Sequence, residues 1–154
     1  MLSRAIADGF TSIVGAGSVL TKPEDIIPYS FDGTAALRQM PSAVVFPHTT
    51  DDVSQCVKFA VAEGVPIVTR GSGTGLSGGS VPTDRSVVLC LAQMNRILDV
   101  DPRNLVLRTQ PGVTTLAIDE AHHGTGSSIL PIRDRCGSAR SVATWPKIPV
   151  DCAG

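Results

Sequence analysis

Several features that mark particular classes of binding protein are scarce in this 154-residue sequence. Aromatic residues make up only 4% of it, so a platform for stacking nucleic-acid bases is not expected. The 13 Lys and Arg residues nearly balance the 14 Asp and Glu residues, which removes the electrostatic argument for nucleic acid or an anionic membrane as a partner. No apolar run reaches the roughly 18 residues of a transmembrane helix. The N-terminus carries the acidic Asp8 and is not typical of a secretion signal. We therefore expect one cytoplasmic, globular domain.

Cysteine is also used sparingly, at Cys56, Cys90, Cys136 and Cys152. None of these residues forms a C-x-x-C pair, and no His stands at zinc-ligand spacing. The pattern predicts reduced thiols and no metal site.

The middle of the chain has the pattern of a β-α-β unit. The run AVVF predicts a short buried strand that ends at Pro47, and VPIVTR predicts a second strand. Between them, apolar residues recur at helical spacing after a cap at Thr49 or Thr50, and Gly64 closes the helix. Such units place their strands in parallel with a right-handed crossover.

Further elements follow this unit and make the fold class α+β. Residues 86–94 predict a third strand, and residues 97–113 predict two strands around a turn at 101–104. A last helix is expected to be capped by Thr114 or Thr115 and to end at Gly124. Before the first strand, residues 2–8 and 11–15 look helical or mixed, and residues 21–34 predict a loop broken by proline.

A glycine-rich loop separates the second and third predicted strands, with five glycines in nine positions from Gly71 to Gly79. Gly73, Gly75 and Gly78 formally match G-x-G-x-x-G, but a strand follows instead of the helix that a Rossmann site requires. A P-loop is excluded because no Gly-Lys-Ser/Thr occurs. Glycines still allow consecutive N–H groups to converge on an anion, which favours phosphate binding. A flexible surface loop is the alternative.

Side chains in the same loop could contribute to such a site. The loop hydroxyls belong to Ser72, Thr74 and Ser77. Arg70, directly before the loop, could add positive charge or could simply be exposed.

At this point the residues support a family resemblance. PIVTRGSGTGLSGGSVPT resembles the pyrophosphate-binding loop of FAD-linked oxidases of the vanillyl-alcohol oxidase type, a flavin fold shared with p-cresol methylhydroxylase (PCMH). The branch with the glycolate oxidase FAD-binding subunit and the D-lactate dehydrogenases matches best. IIPYSFDGT, AVVFPHTTDDVSQCVKFAVAEGVPIVTRG and MNRILDVDPRNLVLRTQPGVTTLAIDEA resemble further segments of that branch, so the resemblance covers about residues 20–124.

The resemblance implies an incomplete N-terminal lobe of a PCMH-type FAD-binding domain. It implies FAD as cofactor, a 2-hydroxyacid as substrate of the intact family, and a quinone or an electron-acceptor subunit as partner. The intact family could also associate peripherally with a membrane. The implied cofactor-binding residues are Arg70, Gly71, Ser72, Gly73, Thr74, Gly75, Leu76, Ser77, Gly78 and Gly79. Pro111, Gly112 and Val113 match a segment that packs near the cofactor, with a simple turn as the alternative.

The resemblance stops near Gly124. When the third base of each codon is joined to the first two of the next, residues 126–133 can be read as Phe-Phe-Tyr-Ser-Pro-Asp-Pro. Residues 142–151 can likewise be read as Gly-Asn-Val-Ala-Glu-Asn-Ser-Gly-Gly, and both readings restore family motifs in order. These observations predict an N-terminal segment of helix and loop at 1–34, a partial PCMH-type FAD-binding domain at 35–124, and an out-of-frame, disordered tail at 125–154.

No catalytic residue is assigned, because the resemblance leaves out the substrate domain. His122 and His123 are interpreted as surface residues at a helix end. An incomplete lobe would expose sheet edges and apolar surface, which predicts marginal stability or poor solubility. The first hypothesis is a FAD-binding fragment of a 2-hydroxyacid dehydrogenase that is inactive alone. The alternatives are a non-catalytic nucleotide- or phosphate-binding module and a functionless pseudogene product.

Overall fold

The computed structural model describes residues 3–34, 36–104 and 106–123. The tail predicted to be out of frame, Gly124 as the end of the last helix, and the side chains of His122 and His123 lie outside what is described.

A four-stranded sheet forms the centre of the described fold. Its strands are β1 (Val19–Leu20), β2 (Ala43–Val45), β3 (Ile67–Arg70) and β4 (Val87–Cys90), in the spatial order β1-β2-β4-β3. β4 pairs in parallel with β2 and with β3, whereas β1 pairs antiparallel with β2. The carboxyl ends of β2, β3 and β4 therefore lie at the same edge of the sheet.

The predicted β-α-β unit is confirmed, with one difference in strand order. Helix α3 (Thr50–Ala62) connects β2 to β3, and these two strands run parallel. They are not neighbours, because β4 lies between them and pairs with both. All four residues of β4 and all three of β2 are buried, as is typical of parallel strands that are covered on both faces.

Helix α3 begins where the sequence predicts. Of the two candidate caps, Thr49 is the N-cap: its hydroxyl accepts the N–H of Asp52 (3.1 Å), and the Asp52 carboxylate accepts the N–H of Thr49 (3.0 Å). This reciprocal pair satisfies two N–H groups that a helix start leaves unpaired. The helix ends at Ala62, and Gly64 follows with φ 63°, a conformation that suits glycine.

One face of the sheet packs against α3 and against α1 (Arg4–Val14), a single helix where the sequence suggested helical or mixed segments. The rings of Phe10 and Phe59 join the two helices edge to face, with centroids 5.0 Å apart. The buried residues of this cluster are Phe10, Val14, Ala43, Val45, Cys56, Ala60, Val87 and Leu89.

The opposite face of the sheet is covered by the segment after β1. The predicted loop there is partly helical: α2 (Pro23–Ile26) begins with proline, which is tolerated at a first helical position, and a 3₁₀ turn (Ile27–Tyr29) follows. The buried residues of this second cluster are Ile26, Val44, Val88 and Cys90. The segment after β1 is therefore held against the sheet, close to the carboxyl ends of its strands.

The chain leaves the sheet earlier than predicted, because β4 ends at Cys90 and a 3₁₀ turn (Leu91–Gln93) follows. Two antiparallel strands then confirm the predicted hairpin, β5 (Ile97–Asp101) and β6 (Val106–Thr109). Helix α4 (Thr115–His123) comes next. Thr114 is its cap, since its hydroxyl accepts the N–H of Ala117 (3.1 Å).

Candidate functional site

The glycine-rich loop leaves the carboxyl end of β3 and returns to the start of β4. It borders an open cavity of about 490 Å³. The lining residues are Asp32, Thr69, Arg70, Gly71, Ser72, Gly73, Thr74, Gly75, Ser77, Gly79, Ser80, Leu91 and Pro111. The cavity thus lies at the edge of the sheet where parallel strands end, a common place for ligands in α/β folds.

Most of the predicted binding residues line this cavity. Eight of the ten do so, and the remaining two are Leu76 and Gly78. The Leu76 side chain is 80% exposed, and Gly78 lies within the loop with φ 72°. Contact between these ten residues and a cofactor stays a prediction.

The loop presents backbone N–H groups that the protein itself does not use. Within the described residues, the N–H groups of the five consecutive residues 73–77 donate to no protein acceptor. Their positions are half-buried or exposed. A concave run of unpaired N–H groups can bind an anion without a formal positive charge.

Gly73 shows why this loop needs glycine. Its φ is 75°, in the left-handed region that residues with a Cβ rarely adopt. A Cβ at this position would also overlap the guanidinium of Arg70. The loop therefore lies directly on Arg70, closer than any other residue type would allow.

Hydroxyl groups add to the donors at the cavity. The Oγ of Ser72 lies 3.3 Å from Oγ1 of Thr74, and both residues line the cavity together with Ser77. A pair of hydroxyls can rotate to donate to an additional acceptor.

Arg70 is buried, with 7% of its surface exposed, so the alternative that it is simply exposed is wrong. Its Nη1 donates to the carbonyl of Phe31, and its Nη2 donates to the carbonyl of Pro28 (3.2 Å). Its guanidinium also lies 5.6 Å from the ring centroid of Tyr29. Burial lowers the pKa of Arg70, while the neighbouring Cys90, Tyr29 and Asp32 act in the opposite direction. Its charge is thus held inside the protein, behind the loop.

Asp32 is a site residue that the sequence did not single out. It lines the cavity but is only 6% exposed, and its Oδ1 accepts the N–H of Thr34 (2.7 Å). That N–H holds the pKa of Asp32 below its usual range, although burial acts in the opposite direction. Within the described residues, Oδ2 of Asp32 and Oγ1 of Thr34 are buried without a hydrogen-bond partner. The turn signal Asp-Gly-Thr could have indicated a local hydrogen bond, but not this burial.

Three other lining residues, Thr69, Ser80 and Leu91, were also missed. Pro111 lines the cavity, whereas packing of its segment near the cofactor stays a prediction. Gly112 follows it and donates its N–H to the carbonyl of Met94 (2.7 Å), and a Cβ there would overlap the carbonyl oxygen of Leu91. The segment is therefore packed against the end of β4, at the border of the cavity.

Metal binding and membrane insertion find no support in the described part of the chain. No group of three or more His, Cys, Asp or Glu residues there could hold a metal ion. Cys56 and Cys90 are buried, and neither forms a disulfide bond within the described residues. Among the helices of residues 3–34, 36–104 and 106–123, none combines the length and apolar character needed to span a bilayer.

Comparison with known protein families decides the relationship. The model of a family described as FAD binding domain matches residues 41–138, more than half of the chain. The chain belongs to this family. Its cofactor is FAD, and its resemblance to FAD-linked oxidases is confirmed.

Individual relatives of this FAD-binding domain agree. Glycolate oxidase subunit GlcD of Escherichia coli is 44% identical over 103 residues, which are 67% of this chain and 21% of the relative. D-lactate dehydrogenase of Archaeoglobus fulgidus is 38% identical over 120 residues, which are 73% of this chain and 27% of the relative. The chain thus spans about a quarter of the length of these curated relatives.

Solved structures confirm the PCMH-type fold. The structure of p-cresol methylhydroxylase with substrate bound matches with a TM-score of 0.70 and 26% sequence identity. The match covers 79% of this chain and 24% of that one. The predicted α+β, PCMH-type FAD-binding fold is therefore confirmed as a partial domain.

Proposed function

We propose that this chain is the FAD-binding part of a 2-hydroxyacid dehydrogenase or oxidase of the glycolate or D-lactate type. In this proposal the loop Gly71–Gly79 binds the FAD pyrophosphate, largely through backbone N–H groups. The observation that carries it is the run of five N–H groups, at residues 73–77, that have no protein acceptor within the described residues and border a 490 Å³ cavity. The relatives named as glycolate oxidase subunit and D-lactate dehydrogenase supply the substrate class.

The donor set of the loop suits a pyrophosphate. The free N–H groups of residues 73–77 stand beside the hydroxyls of Ser72, Thr74 and Ser77, and all of these groups are neutral donors to anionic oxygens. Bound FAD would supply the redox chemistry by accepting a hydride, and the chain would supply position and hydrogen bonds.

The whole enzyme's activity is a further part of the proposal. We assign no catalytic residue, and we expect the chain alone to oxidise no substrate. In the complete enzyme, a 2-hydroxyacid would be oxidised to a 2-oxoacid, and electrons would pass to a quinone or an acceptor subunit. We place the chain in the cytoplasm, with peripheral membrane association as a property of the intact enzyme.

We also propose that the reading frame shifts close to Gly124. The shifted reading of residues 126–133 and 142–151 restores two family motifs in order, which supports this idea. Resequencing the gene across codons 122–128 tests it. A missing or additional base, with a homologous frame downstream, is expected. Verified DNA with an uninterrupted frame and no homologous frame downstream would refute the shift.

Flavin binding is the experiment that tests the proposed function. The purified chain is mixed with FAD, excess FAD is removed, and the visible absorption spectrum is recorded. Retained flavin bands are expected. A colourless protein that remains folded by circular dichroism would contradict the proposal and favour a product without function. Tight binding of ADP with no binding of FAD would favour the non-catalytic nucleotide-binding module instead.

A further inference from the structure

The conformation of the glycine-rich loop depends on a segment far away in the sequence. Residues Pro28–Thr34, called the supporting segment below, contact the loop from behind. Two parts of the loop rest on this segment: Gly73 lies on the Arg70 guanidinium that the segment binds, and the carbonyl of Gly75 accepts a hydrogen bond from the segment.

The first contact is made by Arg70, the last residue of β3. Its guanidinium donates to two carbonyls of the supporting segment, those of Pro28 and Phe31. The planar guanidinium carries its N–H donors in a fixed arrangement and can therefore bind both carbonyls at once. A lysine side chain lacks this fixed set of donors. Gly73 lies on this same guanidinium, so the position of Arg70 sets the position of the first turn of the loop.

The second contact is a close approach of two backbones. The N–H of Gly33 donates to the carbonyl of Gly75 (2.9 Å). A Cβ at Gly33 would lie 2.8 Å from that carbonyl oxygen and 3.0 Å from the carbonyl oxygen of Thr74. Only glycine at position 33 therefore allows the middle of the loop to lie so close.

Asp32 shapes the supporting segment itself. Its Oδ1 accepts the N–H of Thr34 (2.7 Å), which closes the turn that carries Gly33. The Asp32 carboxylate also borders the cavity. Because a carboxylate would repel a pyrophosphate, it is better suited to holding this turn than to contacting the ligand.

We propose that the supporting segment holds the glycine-rich loop in the conformation that binds FAD, and that Arg70, Asp32 and Gly33 are positioning residues. Arg70 thereby acts through the loop and not on the pyrophosphate, in contrast to the direct role that the family resemblance implies for it. This proposal rests on the proposed function only where FAD binding is measured; the order of the loop is measurable without FAD.

Two variants remove different contacts with the same loop, Gly33→Ala and Arg70→Gln. Gly64→Ala is the control, since it strains a left-handed glycine with no other atom within 4 Å of its Cβ and lowers stability away from the loop. The readout without FAD is the rate at which thermolysin, which cuts next to large apolar residues, cleaves the native protein at Leu76, with the cut located by mass spectrometry; Leu76 is 80% exposed. Cleavage of a native loop follows its local opening.

Both loop variants are expected to be cut at Leu76 about tenfold faster than the wild type, because each loses a contact that restrains the loop. The Gly64→Ala protein is expected to be cut at the wild-type rate at temperatures well below its melting point. Unchanged cleavage in both loop variants would overturn the proposal, whether or not the wild type binds FAD. Failure of the wild type to bind FAD would instead count against the proposed function alone.

FAD binding then separates positioning from direct contact. Both variants are expected to raise the Kd for FAD about tenfold, with the salt dependence of the Kd unchanged, since no charge that contacts the ligand is lost. The double variant should raise it by less than the product of the two single effects, because both changes release the same loop. A Gly33→Ala protein with wild-type affinity, together with a weaker salt dependence in Arg70→Gln, would overturn the proposal and assign Arg70 to the pyrophosphate. If Arg70→Gln does not fold, Arg70→Lys replaces it, because lysine keeps the positive charge but lacks the planar set of N–H donors. A wild-type cleavage rate and a wild-type Kd for FAD in the Arg70→Lys protein would also overturn the proposal.

Discussion

Replacing Gly75 by alanine separates the needs of the fold from the needs of the ligand. A Cβ at Gly75 would meet no heavy atom within 4 Å, and the residue does not occupy the left-handed region. Gly75 lines the cavity, and its N–H is one of the five that donate to no acceptor within the described residues. The added methyl group therefore enters open space where, in our proposal, the FAD pyrophosphate approaches the backbone.

The expected effect on stability is small and favourable. An alanine that fits the native backbone stabilises a protein by about 0.4–1 kcal/mol, because it restricts the unfolded chain. Binding should change in the opposite direction. If the backbone of residue 75 touches the ligand, the methyl group forces the ligand to move away from the loop and weakens its hydrogen bonds. We expect a Kd for FAD that is about tenfold higher or more, which corresponds to about 1.4 kcal/mol.

Two measurements on the same protein test this expectation. Urea unfolding of the FAD-free chain gives the free energy of unfolding, and titration of the flavin absorption or fluorescence gives the Kd. Gly73→Ala is the comparison, because its φ of 75° and its overlap with Arg70 predict losses in both measurements. A Gly75→Ala protein that is stable and binds FAD with wild-type affinity would refute the claim that the ligand lies against the loop at this residue.

Three further predictions concern the rest of the fold. Thr49→Ala removes the acceptor for the N–H of Asp52 and should lower the free energy of unfolding by about 1 kcal/mol in urea; no change would show that the cap is dispensable. Cys56 is fully buried and burial raises its thiol pKa to about 11, so mass spectrometry should find it unmodified after iodoacetamide treatment at pH 8 and alkylated in urea. Rapid modification in the native state would contradict the burial of that thiol. The N–H of His48 is the main cause of the lowered pKa of Asp52; because the folded pKa lies below the unfolded one, this contribution is present above about pH 4 and is lost as the pH falls through the folded pKa. Asp52→Asn should therefore weaken the dependence of the free energy of unfolding on pH on the acid side, as measured by urea unfolding at several pH values. An unaltered dependence would argue against a stabilising role of the Asp52 carboxylate.

The elements that could be predicted from the sequence are those with local signals. Helix α3 has a cap, an apolar repeat at helical spacing and a terminal glycine within 16 residues, so the sequence limited its cap to Thr49 or Thr50, and the structure shows Thr49. The β5–β6 hairpin is likewise defined by its own turn, where Asp101 accepts the N–H groups of Arg103 and Asn104. Local hydrogen bonds of this kind are fixed by residues that are close in sequence.

The features that were missed depend on distant partners. β1 is two residues long and exists only because Val19 and Leu20 pair with β2. The insertion of β4 between β2 and β3 is equally non-local. Arg70 seemed free to face a ligand or solvent, since its carbonyl partners lie 39 and 42 residues earlier in the chain. Sequence reasoning located the glycine-rich loop but could not identify the segment behind it.

The distribution of charge explains how a chain with a net charge of −1 could bind a dianionic pyrophosphate. The charged residues among the described lining residues are Arg70, which donates to two carbonyls behind the loop, and Asp32, whose carboxylate repels an anion. In our proposal the attraction therefore comes from the N–H groups of residues 73–77 and from hydroxyls, whose dipoles act only at short range. Salt screens interactions between separated charges far more than hydrogen bonds in contact. We therefore expect the Kd for FAD to stay within about threefold when salt rises from roughly 0.05 to 0.5 M. Isothermal titration at both salt concentrations measures this, and a steep loss of affinity would mean that a charged side chain binds the pyrophosphate directly.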